Sequence, residues 1–179
     1  IDDIIESINL SIKRLKLINE FKPWNADEER SPEYWKKRNS ISVEDKVSLN
    51  NIEDICKLFD ADFGKTKRGY LRLGGINLPT DEKILIWWPS ETTRKGWVNK
   101  LDLINNTITE THEDIHKKYK HFNEYLNSTQ KRYVFFHQKD VLGLTSYKFI
   151  GVFSYDSVRS CTKIGTVWKR TGDEITLTK

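Results

Sequence analysis

The sequence predicts an α+β fold: N-terminal amphipathic helices over residues 1–60, packed beside a small, strongly curved mixed β-barrel over residues 61–179. Three observations predict it. Apolar residues recur at helical spacing in the first 60 residues, Gly-punctuated aromatic and β-branched runs take over after Gly64, and the strongest of these runs, within Lys131 to Phe153, lie either side of a turn. At 179 residues the chain is long enough for one domain with a real core, with or without a helical appendage.

Ile1, Ile4, Ile5, Ile8, Ile12 and Leu15 form an apolar stripe, with Asp2, Asp3 and Glu6 in the first turn and Lys13, Arg14 and Lys16 later, so a dipole-matched amphipathic helix is expected up to Pro23. Ser31-Pro32 reads as an N-cap followed by proline at the first helical position, which predicts a short helix over 32–38 pinned by Trp35. Ser48 to Phe59 carries Leu49, Ile52, Ile55, Cys56 and Phe59 on one face and predicts a second helix, capped by Asn50 or Asn51.

The barrel is expected to begin in the basic, glycine-bearing stretch from Gly64, where Lys65, Lys67, Arg68 and Arg72 crowd. Gly64-Lys65-Thr66 is no Walker loop, because Phe59 stands where the motif needs glycine. Ile84 to Trp88 reads as a strand stopped by Pro89, Ser90 to Gly96 as a loop with Arg94 and Lys95 at its tip, and Trp97 to Asn99 as a further strand. Asp102 to Asn106 is a turn, Thr107 to Glu110 alternates as an exposed strand does, and Thr111 to Leu126 has helical spacing. Tyr147 to Phe153 lacks clean alternation and so reads as a central strand, with Gly151 marking a bulge or a close approach. The last strands fall near 166–169 and 174–178.

Composition narrows the function classes. No run approaches the roughly 18 apolar residues of a membrane helix, and the charged first 20 residues lack the apolar centre of a signal peptide. Cys56 and Cys161, distant and outside any CxxC pair, read as reduced thiols of a cytoplasmic protein. The absence of methionine suggests a piece of a longer chain. Residues 1–60 hold 10 Lys+Arg against 13 Asp+Glu (net −3) and residues 61–179 hold 20 against 13 (net +7), so the basic excess lies with the aromatic strands, as suits a nucleic-acid partner.

No catalytic constellation stands out. His112-Glu113-Asp114-Ile115-His116 matches HExxH in letters, but its neighbours Lys117, Lys118 and Lys120 suit a solvated helix and oppose a metal. Asp81-Glu82-Lys83 reads as a turn before a nuclease fragment, and no metal site or cofactor is assigned.

The aromatics are more informative. Trp87, Trp88 and Trp97 on adjacent strands offer flat faces for a base, Asn99, Asp102 and Tyr147 are candidates to read its edge, and Lys65, Lys67, Arg68, Arg94 and Lys95 are candidates for phosphates.

The pattern Arg132-x-Val134-Phe135, Lys139-Asp140-x-x-Gly143, then Tyr147-x-Phe149-x-Gly151-Val152-Phe153 resembles a C-terminal block of bacterial restriction-associated proteins, in small β-barrel readers of the PUA, SRA and EVE kind. The resemblance covers about one eighth of the chain and carries no catalytic signature. It implies a DNA-binding specificity module reading a modified or flipped base in double-stranded DNA, alongside a nuclease or helicase partner. A metal-dependent nuclease, and a protein- or RNA-binding module, stay open as other classes, and the oligomeric state is not indicated.

Overall fold

The computed structural model describes residues 31–61, 74–80, 82–139 and 145–177. The Ile-rich stripe of residues 1–15, the basic stretch with Lys65, Lys67 and Arg68, and the turn residues Asp140 and Gly143 lie outside the described residues.

Helix α1 (Pro32–Arg38) starts where the Ser31 hydroxyl accepts the Tyr34 N–H at 3.1 Å and ends on Asn39 in the left-handed region, φ 61°. Strands β1 (Ser40–Ser42) and β2 (Ser48–Leu49) follow, then α2 (Ile52–Leu58). Asn51 caps α2 by accepting the Asp54 N–H at 2.9 Å. The second helix is therefore shorter than its apolar pattern predicts. Ser48 and Leu49 instead pair with Lys148 and Tyr147, and Leu49 is fully buried there.

The remaining elements are β3 (Gly75–Asn77), β4 (Ile84–Trp87), β5 (Trp97–Asp102), β6 (Thr107–His112), α3 (Ile115–Tyr125), β7 (Lys131–Lys139), β8 (Thr145–Tyr155), β9 (Thr166–Gly172) and β10 (Glu174–Thr176). The main sheet runs β3-β4-β7-β8-β9-β6-β5, with β2 on β8, and β1 pairs with β10. All pairs are antiparallel except β4 with β7.

Among the described residues this ladder is an open path from β3 to β5, so the expected closed barrel is not formed by hydrogen bonding. The connection after β4 reaches β5 at the far end of the ladder, where the Asn99 amide donates to Ser90 O at 3.3 Å. Strands β1 and β2 also place residues before 60 in ladders with the C-terminal half of the chain.

The hairpin β7–β8 is the spine, and β8 is central, with β7, β9 and β2 as neighbours. Between Val134 and Phe135 the register jumps from Gly151 to Phe149, leaving Ile150 as the extra residue of a bulge. Gly151 sits there at φ 115°, and a Cβ on it would lie 2.7 Å from Gly172 O. Both readings of that glycine hold, and the bulge lets Phe149 and Val152 face the same side.

The sheet separates two buried clusters. Behind it, Ile86, Trp88, Phe135, Phe149 and Val152 pack with Trp35, Ile55, Cys56 and Leu58 from the helices. Before it, Trp87, Ile108, Val134, Phe136, Phe153 and Trp168 form a second cluster, with Tyr125 of α3 against it. Adjacent side chains on a strand point to opposite faces, which is why Trp87 and Trp88 part company. Among the described residues no helix is long and apolar enough to cross a membrane.

Candidate functional site

A cavity of about 390 Å³ opens on the second cluster's side of the sheet. Its wall includes Trp87 of β4, Arg94 and Lys95 of the following loop, Trp97 and Asn99 of β5, and Glu110 of β6. His121 and Tyr125 close it from α3, and Arg132 of β7 lies at its base.

The loop that carries Trp97 is held by a two-residue turn. Arg94 and Trp97 exchange backbone hydrogen bonds at 3.0 Å each, with Lys95 at φ 52° and Gly96 at φ 81°. Positive φ at both central residues matches the right-handed twist of a hairpin, and a side chain at Gly96 would meet the His112 ring at 2.7 Å. His112 Nδ1 accepts the Asp114 N–H at 2.8 Å, so the neutral ring carries its proton on Nε2 and donates to Lys95 O at 3.1 Å. The same ring meets Trp97 edge-on at 4.8 Å.

That placement corrects the helical reading of 111–126. His112 ends β6 and is buried, while α3 starts at Ile115, capped by Asp114 Oδ1 accepting from the His116 and Lys117 N–H groups. His112 and His116 thus share no helix face. Among the described residues, no group of three or more His, Cys, Asp or Glu is placed to hold a metal. Glu82 is taken up by Lys131 at 2.8 Å, in the turn before β4.

At the base of the cavity the Arg132 side chain is 2% exposed, with its guanidinium carbon 3.4 Å from the Trp168 ring centroid, 4.4 Å from Trp87 and 4.9 Å from Tyr125. It donates to Glu110 Oε2 at 2.9 Å, and the Trp168 indole N–H donates to the same oxygen at 3.3 Å. His121 Nε2 lies 3.0 Å from that oxygen. Burial pushes the Glu110 carboxyl up, but Arg132 and His121 outweigh it and bring it down to about 2. Glu110 is therefore a fixed carboxylate, an acceptor only. This corrects the expectation that Thr107 to Glu110 is an exposed strand: β6 lies between β5 and β9, and Thr107 and Ile108 are buried.

Asn99 supplies a second acceptor. Its Nδ2 is spent on Ser90 O, which leaves Oδ1 buried with no partner among the described residues.

The structure brings together Trp87, Trp97 and Asn99 with Arg94 and Lys95 at the rim. Trp88 touches the wall while its ring packs in the first cluster. Asp102 is not with them. It lies five residues along β5 from Trp97, and its carboxylate is consumed by the Ile104 and Asn105 N–H groups and the Asn105 side chain. Tyr147 is also elsewhere: it packs at the edge of the first cluster, 5.0 Å from the His137 ring. Sequence reasoning missed Glu110, His121, Tyr125, Arg132 and Trp168. Arg132 alone carried a signal, as a cation opening the apolar run Tyr133 to Phe136.

The fold and cavity define an α+β chain whose open mixed sheet holds an aromatic-walled pocket lined by a carboxylate and an amide, with cations at its rim. A family model, the SET and RING associated (SRA) domain, matches residues 34–177, and the chain belongs to that family. Among solved structures it is similar to the 5-hydroxymethylcytosine-specific restriction enzyme AbaSI, with a TM-score of 0.73 and 32% identity over 98% of this chain and 54% of that one. This chain thus spans about half of that enzyme's length. No curated protein matches it.

Proposed function

We propose that this chain is a DNA-binding specificity module that reads a modified cytosine, turned out of the duplex into the cavity beside Trp97. The observation that carries the reading is the pairing of flat rings with the Glu110 carboxylate and the Asn99 amide in one pocket. A cytosine offers its exocyclic amine as donor, and a 5-hydroxymethyl group adds an O–H donor. Thymine would set its O4 acceptor against a carboxylate. The cavity of about 390 Å³ falls in the size range of small-ligand sites. Membership of the SRA family, and likeness to an enzyme specific for 5-hydroxymethylcytosine, support the substrate class.

In this reading Trp97 stacks the base, Asn99 and Glu110 meet its edge, and Arg94 and Lys95 meet flanking phosphates, with Lys65, Lys67 and Arg68 as further phosphate candidates. Tyr125 and His121 close the pocket from α3. The context we propose is a bacterial restriction system in the cytoplasm, with strand cleavage supplied by a nuclease outside the described residues or by a partner.

Equilibrium binding to labelled duplexes that are unmodified, 5-methylated or 5-hydroxymethylated tests this, across a salt series. The account predicts affinity that falls steeply with salt and is higher for a modified duplex, since an unmet buried acceptor costs about 1–3 kcal/mol. Equal affinity for all three duplexes would overturn the base-reading claim, and no binding at low salt would overturn the DNA claim.

A further inference from the structure

The Glu110–Arg132 pair differs from the other charge pairs of the fold. Its side chains are 13% and 2% exposed, whereas among the described residues every ion pair that does not involve Glu110 keeps one partner at least 45% exposed. Taking two charges out of water costs several kcal/mol per ion, and apolar residues of similar volume replace such pairs with neutral or favourable effect. The first cluster shows that this sheet buries aromatic surface well without a charge. Stability alone therefore gives no reason for a guanidinium under Trp87, Tyr125 and Trp168.

The contacts of the pair are one-sided. Arg132, Trp168 and His121 all address Oε2 of Glu110, and among the described residues no hydrogen bond falls on Oε1. We infer that Arg132 is a positioning residue for base recognition: it fixes Oε2 from below, so that the carboxylate is held ionised and Oε1 is presented to the base as an acceptor. This rests on the base-reading function proposed above.

Arg132 itself is enclosed by the three rings and acts through Glu110. The groups that face Glu110 are Arg132 from β7, His121 and Tyr125 from α3 and the Trp168 indole from β9. Asn99 of β5 is on the cavity wall, and Arg94 and Lys95 stand at the rim. Without the guanidinium, a carboxyl this deeply placed takes a proton toward neutral pH, as buried glutamates do, and becomes a donor where the cytosine amine needs an acceptor.

The test is the selectivity of binding, a duplex carrying 5-hydroxymethylcytosine over the same duplex carrying 5-hydroxymethyluracil paired to adenine at that position, which sets the amine against an O4 acceptor, from about pH 5.5 to about pH 8.5. It compares the unaltered chain with Arg132→Met, Arg132→Lys and the double variant Glu110→Gln with Arg132→Met. His121 is common to all four, so differences between profiles report Arg132. Expected is a selectivity for Arg132→Met that is depressed about tenfold at the acid end and recovers with rising pH, about one pKa unit's worth of binding. Arg132→Lys restores the flat profile of the unaltered chain. The double variant, with both charges gone, melts close to the unaltered chain yet is unselective at every pH, which keeps the test open should Arg132→Met fail to fold. A pH-independent loss in Arg132→Met, or full selectivity in the double variant, would overturn the inference. An unaltered chain that does not discriminate would overturn the base-reading function itself.

Discussion

Behind Phe135, Phe149 and Val152 the sheet rests on α1 and α2 with apolar side chains and no buried charge among the described residues. In front of Val134 and Phe153 it carries Trp87, Trp168 and Tyr125 around a guanidinium and a carboxylate. The same strands supply both faces. The difference teaches that β4, β7 and β8 hold the fold from one side and present chemistry from the other, so substitutions on the two faces are expected to fail in different assays.

The largest effect belongs to the first face. Phe149→Ala removes a fully buried ring and is expected to cost about 3–5 kcal/mol in a urea titration, with duplex selectivity of the folded fraction unchanged. A loss of selectivity equal to the loss of stability would erase the distinction between the faces.

Next comes acid. Glu110 is held at about 2, below its ordinary 4.5, so the folded state binds its proton less readily than the unfolded state does. Its contribution is present above about pH 4.5 and is lost as pH falls from there towards 2. It amounts to roughly 3 kcal/mol, and other depressed carboxylates such as Asp45 and Asp156 add their own slopes. The difference between the unaltered chain and Glu110→Gln isolates it. A Glu110→Gln chain whose urea midpoint falls with acid as steeply as the parent's would contradict the ion pair.

Smaller changes belong to the rim of the second face. Trp97→Ala should weaken binding of the modified duplex by about 1–3 kcal/mol through lost stacking. Asn99→Ala should cost a similar amount of selectivity by deleting one acceptor. For both, a melting temperature moved no more than a few degrees would mark the loss as one of binding. The smallest is Asn51→Ala, which removes the cap of α2 for about 1 kcal/mol and should leave every duplex affinity untouched. Altered binding there would show that the helices behind the sheet communicate with the pocket.

Local chemistry was legible in the sequence and parity was not. Ser31-Pro32 and Asn51 start their helices as read, and the β7–β8 hairpin and the bulge at Gly151 follow from turn residues and strand-forming runs. Glu110 escaped because polar residues that face a pocket alternate along a strand just as polar residues that face water do. Asp102 is near Trp97 in sequence. Yet five residues of strand carry the chain about 16 Å, out of reach of the same ligand. Tyr147 falls on the same side as Phe149, and only the pairing of β8 reveals that this side faces the helices. Arg132 and Trp168 meet Glu110 only because β6, β7 and β9 share one sheet, an arrangement that no single window of residues contains.

The central claim is that the Trp97 side of the sheet receives an extruded base. The most direct measurement is the emission of 2-aminopurine placed beside a single 5-hydroxymethylcytosine in a duplex, titrated with the chain and with Trp97→Ala. The account predicts emission that rises on binding as the neighbouring base leaves the stack, only for the modified duplex, and much less with Trp97→Ala. Tight, selective binding with emission unchanged would mean that the modification is read within the intact duplex, and would contradict the account.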